Sequence, residues 1–144
     1  MTENRFKSIE ETVMLKQIEV VAAVIQHGQS ILATQRGYGD WKGWWEFPGG
    51  KIQPGENHEQ ALVRELHEEM DTDIVIDRFL ATVEYDYPDF HLTMHCYLCH
   101  LSNSHYTLIE HLDARWLTAD TLQTVQWLPA DEDLVAKLPA MLLT

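Results

Sequence analysis

The sequence predicts an α/β fold: a mixed β-sheet sandwiched between helices (α/β/α). Residues 18–25, IEVVAAVI, are β-rich and almost continuously apolar, the pattern of a strand buried on both faces. Residues 57–70 carry Ala61, Leu62, Leu66 and Met70 on one helical stripe. Strand and helix patterns interleave along the chain, with hairpin turns between neighbouring strands, and such an order places helices on both faces of one sheet.

Residues 1–16 are polar and weakly patterned, an extension to a domain spanning 17–144; within it SIEETVMLK sets Ile9, Val13 and Met14 near one face of a short helix. HGQS (27–30) turns the chain, and ILATQR (31–36) returns as the second strand of a hairpin. GYGDWKG (37–43) is a loop, and WWEF (44–47) a short strand ended by Pro48, Gly49 and Gly50. Asn57, with Gln60 three residues on, forms the capping box that opens the helix. DIVIDRFLATVEYDY (73–87) and FHLTMHCYLCH (90–100) are long strands about a turn at Pro88 and Asp89. ARWLT (114–118) is a further strand and ADTLQ (119–123) a helical turn. DEDLVAKL (131–138) begins a last helix that Pro139 interrupts.

A chain of 144 residues with 45% hydrophobic content fits one domain with a real core, burying roughly two-thirds of its unfolded surface. No apolar run approaches the ~20 residues that span a bilayer. The opening MTENRFKSIEETVMLK mixes charges and has no apolar stretch of the kind a secretory signal needs. Two cysteines, Cys96 and Cys99, make no disulfide framework. These features fit a cytoplasmic protein, monomer or homodimer, with no membrane partner. The formal charge of −13 argues against a nucleic-acid polymer as partner, since polymer binding leans on clustered Lys and Arg. A small anion can still bind an acidic protein if divalent cations intervene.

The segment FPGGKIQPGENHEQALVRELHEEM (47–70) bears on that exception. Positions 65, 68 and 69 are related as i, i+3 and i+4, so Glu65, Glu68 and Glu69 share a helix face and repel one another unless cations intervene. One reading is a solvated acidic face. The other is a metal site: Arg64 stands four residues before Glu68 and can brace it, Glu56 can fold back onto the face, and Gly49 and Gly50 expose bare backbone that can offer a carbonyl oxygen. Oxygen-only ligands select hard ions such as Mg²⁺ or Mn²⁺.

Gly50, five residues, Glu56, seven residues, then Arg64-Glu65-Leu66-x-Glu68-Glu69 resembles the Nudix box, G-x5-E-x7-R-E-U-x-E-E-x-G-U. The resemblance runs from about Gln17 to Leu138 and is to the MutT-like nucleoside triphosphate pyrophosphohydrolases, whose form of the segment WEFPGGKIQPGE is similar; the cytidine triphosphate type is the nearest. Two positions depart: Asp71 replaces the closing glycine, and Thr72 the aliphatic after it. That glycine takes a left-handed conformation past the helix, which Asp tolerates at roughly 1 kcal/mol. Neither change removes a carboxylate.

The resemblance implies a Nudix fold and Mg²⁺- or Mn²⁺-dependent hydrolysis of a nucleoside triphosphate to a monophosphate and pyrophosphate. Carried over by matching positions, Glu65, Glu68 and Glu69 would hold the divalent ions, with the Gly49 carbonyl as a further ligand. Glu56 would support this metal cluster and Arg64 would orient it. Glu110, in TLIEHLDARW, stands where MutT-like proteins carry a catalytic glutamate, as metal ligand or general base; taken alone it is an ordinary loop carboxylate. An 8-oxo-dGTP or general dNTP sanitising enzyme is the alternative on the same chemistry. A non-catalytic nucleotide-binding regulator is an alternative of another class, against which the intact glutamates speak.

For the base, Arg36 matches an arginine that lies against the nucleotide in MutT-like members; alone it reads as a surface cation. YDYPDFHL matches the strand and turn flanking their base pocket, which makes Tyr87 and Asp89 wall candidates, although Tyr87 also suits a core. Asp131 follows Pro129-Ala130 and reads locally as a helix N-cap. The resemblance gives it another meaning, because cytidine-triphosphate relatives carry aspartate here and the 8-oxo-dGTP enzyme asparagine. An ionised aspartate only accepts hydrogen bonds, which suits the cytosine N4 amino group. Cys96-x-x-Cys99 among His91, His95 and His100 invites a zinc reading, but i and i+3 point to opposite faces of a strand. Trp45 reads as core, while Trp41 and Trp44 could rim a cleft.

Overall fold

The structure is a computed structural model and describes residues 16–142. The helix expected in SIEETVMLK falls outside those residues, except that Lys16 already belongs to the first strand. The elements are β1 (Lys16–His27), β2 (Ser30–Gln35), β3 (Trp45–Glu46), β4 (Gly49–Lys51), α1 (His58–Met70), β5 (Ile74–Asp86), β6 (Phe90–Leu101), β7 (Asp113–Leu117), a 3₁₀ turn (Leu122–Thr124), α2 (Pro129–Val135) and α3 (Leu138–Leu142). Among the described residues no helix is long and apolar enough to cross a membrane.

β1 is the spine of a mixed sheet. It runs parallel to β6, from Lys16 opposite Phe90 to Ile25 opposite Cys99, and takes β4 antiparallel on its other side. β5 lies antiparallel beyond β6. At the far end of β1 a hairpin leads into β2, which pairs with both β3 and β7.

Alternate residues of β1 enter two cores, as its continuous apolar run predicts. Val21, Ala23 and Ile25 pack with Ala61, Leu62, Leu66 and Met70 of α1. Ala22 and Val24 belong to the opposite core with Phe47, Trp127 and the α2–α3 residues Leu134, Val135 and Leu138. Each such fully buried aliphatic side chain contributes roughly 1.5–3 kcal/mol, so the two cores hold the helices on the sheet. Cys96 joins the second core and Cys99 the first, and burial pushes both thiols up to about 12. They face opposite sides of the sheet and form no zinc pair.

α1 is capped as its sequence specifies. The Asn57 side chain accepts from Gln60 N–H at 2.8 Å, and the Gln60 side chain accepts from Asn57 N–H at 3.0 Å. At the other end Asp71 takes φ 45°, ψ 48°, the left-handed conformation.

Three local expectations change. Gly49 and Gly50 continue past Pro48 into a strand, paired with Ala22 and Val21, where a strand end was expected. A Cβ at Gly49 would lie 1.9 Å from Val21 O, so only bare backbone can approach β1 this closely. The last helix breaks before Pro139, not at it. Pro139 is the second residue of α3, in a first turn where its missing N–H does no harm. Asp131 does not cap α2: Leu128 is the N-cap, and Asp131 lies inside the first turn.

Candidate active site

β4 and the acidic face of α1 meet through glycine. A Cβ at Gly50 would lie 2.4 Å from the carboxyl carbon of Glu65, so that carboxylate rests directly against the strand's backbone. Glu69 is only 7% exposed and accepts a hydrogen bond from Gly49 N–H. Its Oε2 is buried with no hydrogen-bond partner among the described residues. Burial first, then the charges of Glu65, Glu110 and Glu46, push the Glu69 carboxyl up to about 9. A buried carboxylate oxygen that is unpaired and surrounded by other carboxylates is costly unless a counter-charge joins it. An oxygen-only donor set of this kind fits a hard divalent cation.

Arg64 grips more of the cluster than its spacing from Glu68 suggested. Its Nε and Nη2 hold the two oxygens of Glu56 at 2.6 and 2.9 Å, its Nη1 donates to Glu65 at 3.0 Å and to Glu68 at 3.2 Å, and Nη2 also reaches Lys51 O at 3.0 Å. Glu56 further accepts from Gln53 N–H at 2.9 Å, so both its oxygens are engaged. The Arg64 bonds hold the Glu56 carboxyl below its ordinary value. Glu68 is the most open of these acids, with its side chain 56% exposed. Glu69 is the one helix-face glutamate that makes no ion pair with Arg64.

Glu110 arrives from a distant loop. Thr107 N–H donates to Met70 O at 2.8 Å and Ile109 N–H to Glu69 O at 3.2 Å, so the loop hangs on the free carbonyls at the end of α1. A Cβ at Gly37 would lie 2.3 Å from Glu110 O, so the loop after β2 closes on it from the other side. Glu110 itself is exposed, and its charge is felt by both Glu69 and Glu46.

On the flank of the cluster Arg36 pairs with Glu46 at 3.0 Å and lies over the Tyr38 ring at 4.6 Å. His111, 9% exposed, sits 3.7 Å from Glu46, and burial followed by the Arg36 charge lowers it to about 4. Asp131 is 5% exposed and accepts from Phe47 N–H at 2.9 Å, a bond that ties α2 to the chain just ahead of β4. Burial, then Glu46, raise its carboxyl to about 8, against the hydrogen bonds that lower it. Burial, the chief cause, favours the neutral acid. Tyr87 is buried in the core, and its hydroxyl accepts from Ala130 N–H at 3.2 Å. Asp89 is exposed in the turn between β5 and β6. Trp45 is core as expected; Trp41 packs edge-on against Trp44 at 4.8 Å and Tyr87 at 5.7 Å.

The sequence reading missed Glu46 and His111. Glu46 stood inside the WEFPGG segment, but nothing local distinguishes it from a solvated strand residue. His111 gains its meaning only from the Glu46 beside it.

The NUDIX domain family matches residues 20–137. A CTP pyrophosphohydrolase of Escherichia coli strain K12 is 35% identical over 130 residues, covering 88% of this chain and 95% of its own. An 8-oxo-dGTP diphosphatase of Proteus vulgaris is 40% identical over 85 residues, covering 58% of this chain and 76% of its own. Among solved structures, the E. coli ORF135 protein superimposes with a TM-score of 0.75 at 32% identity, covering 88% of this chain and 91% of that one. Together with a mixed sheet between helices and a glutamate cluster on the helix after a Gly-Gly strand, these matches settle the family: the chain belongs to the Nudix hydrolases.

Proposed function

We propose that the chain hydrolyses nucleoside triphosphates to nucleoside monophosphate and pyrophosphate with Mg²⁺ or Mn²⁺, preferring cytidine nucleotides. The observation that carries the reading is Glu69, a buried carboxylate with an unpartnered oxygen, beside Glu65 and under the influence of Glu110. Glu65, Glu68 and Glu69 would hold the divalent ion, with Glu110 as a further ligand or base and the Gly49 carbonyl as an additional donor. The ion supplies charge neutralisation for the phosphates and acidification of the attacking water. Arg64 acts as a brace, fixing Glu56, Glu65 and Glu68 while leaving Glu69 open. Glu110 is exposed, so it can reach a water and take its proton.

For the base, Asp131 accepts from Phe47 N–H through one oxygen, and in this reading the other oxygen faces the nucleotide. When ionised it accepts from the cytosine N4 amino group; Arg36 and the Tyr87 wall complete the flank. A second reading is favoured by the neutral form. A carboxyl raised to about 8 also offers an O–H donor, which suits a base with an acceptor at O6, as in an oxidised guanine.

A screen of canonical and oxidised nucleoside triphosphates with Mg²⁺, reading pyrophosphate and monophosphate, separates these. CTP and dCTP as the best substrates support the first reading, and 8-oxo-dGTP well ahead of both supports the second. Nucleotide binding without hydrolysis, or orthophosphate as the product, removes both.

A further inference from the structure

Away from the glutamate cluster, three side chains from distant parts of the chain meet on the α1 side of the sheet. Glu19 comes from β1, His95 from β6 and His58 from the first position of α1. One donor atom from each lies within 4.8 Å of the other two. The imidazoles of His58 and His95 stack with centroids 4.1 Å apart and planes 21° apart, and Glu19 Oε2 lies 2.6 Å from His95 Nε2.

The surroundings have the form of a second shell. His95 Nδ1 is 2.9 Å from the Thr82 hydroxyl, and Thr82 stands opposite His95 on β5. His58 Nδ1 is 3.0 Å from the Tyr97 hydroxyl. Each ring thus has a hydroxyl partner on one nitrogen and keeps the other for a ligand, and the two stacked rings must turn to aim those nitrogens at one ion. The His95 side chain is 13% exposed, so a ligand held there is partly sheltered, whereas the Glu19 side chain is 56% exposed and free to adjust.

We propose that Glu19, His58 and His95 form a transition-metal site, with zinc-type ions as the ligand class. Two imidazoles and one carboxylate suit such ions better than Mg²⁺. A tetrahedral ion needs donors about 3.3 Å apart, so the widest pair closes by no more than about 1.5 Å while Glu19 Oε2 and His95 Nε2 open from 2.6 Å. The fourth position is left to water. Glu65 lies about 10 Å farther along the axis of α1, so this site is separate from the oxygen-only cluster. A bound ion staples the first turn of α1, next to its Asn57 cap, to both central parallel strands.

The test uses the full chain in excess Mg²⁺, which keeps the glutamate cluster occupied. Zn²⁺ is followed by calorimetry and Co²⁺ by its visible spectrum. One further equivalent of Zn²⁺ is expected, with a melting temperature that rises with Zn²⁺ concentration and a Co²⁺ spectrum of low coordination number. Tyr97→Phe should weaken Zn²⁺ binding about 10- to 100-fold through the lost orientation of His58. Glu19→Gln, at an exposed position that leaves the fold intact, should weaken it at least about tenfold. His58→Gln with His95→Gln should abolish it. His91→Gln, whose ring pairs with Asp86 and Glu84, should leave it unchanged. Equal Zn²⁺ stoichiometry and affinity in wild type, Glu19→Gln and the double variant, or loss in His91→Gln instead, would overturn the assignment.

Discussion

Replacing Asp131 by Asn probes one carboxyl in two independent ways. In the folded protein it is 5% exposed, accepts from Phe47 N–H at 2.9 Å, and titrates at about 8 instead of 3.8, chiefly through burial and then through Glu46. Between those values the folded chain keeps a proton that the unfolded chain has released. The stability Asp131 contributes is therefore present at acid pH and is lost as pH rises toward 8, by up to ~1.4 kcal/mol per pH unit. Asparagine does not titrate, yet its carbonyl oxygen can keep the Phe47 bond. In urea melts from about pH 5 to about pH 8, the gap between variant and wild type should move in the variant's favour by as much as ~4 kcal/mol. Parallel stability profiles would refute the buried neutral acid. The kinetic arm reads kcat/KM near pH 9, where the wild-type carboxyl is ionised. There the variant should lose ~1–3 kcal/mol, about 5- to 150-fold, on CTP and dCTP, and much less on UTP, whose C4 carries an acceptor. Equal losses on both pyrimidines would reduce Asp131 to a tether between α2 and Phe47 and remove the residue-level support for cytidine.

Glu69→Gln keeps the volume and an acceptor for Gly49 N–H while removing the charge; turnover should fall at least ~100-fold with the melting temperature held, and near-normal turnover at saturating Mg²⁺ would sink the metal assignment. Gly50→Ala places a Cβ 2.4 Å from the Glu65 carboxyl carbon, so Glu65 must shift; pyrophosphate release should drop by about 100-fold, and an unchanged rate would mean the Glu65 position is not critical. Asp71→Gly relieves a left-handed aspartate at φ 45° and should stabilise the protein by about 0.5–1 kcal/mol in urea melts, whereas a clear loss would reveal a local partner for Asp71.

Features that depend on period and nearest neighbours were legible in the chain alone. The ends of α1 were legible because a capping box and a left-handed residue act within one helical turn. The double burial of β1, and the opposed directions of Cys96 and Cys99, follow from the two-residue repeat of a strand. The Nudix box was legible because its glycine, arginine and glutamates lie on one loop and one helix. Which of those acids is buried depends on packing between distant elements. Glu68 and Glu69 are neighbours on the same helix, but Glu69 alone lies against Gly49 and under the Glu110 loop, which hangs on α1 through the carbonyls of Glu69 and Met70. Asp131 read as a cap because its helix is local, while its actual partner, Phe47, is 84 residues away. Glu19 and His95 are 76 residues apart and met only when β1 and β6 paired. Local propensity carries no information about such pairs: burial and electrostatic environment are set by which elements pack together, and that is fixed only when the whole sheet closes.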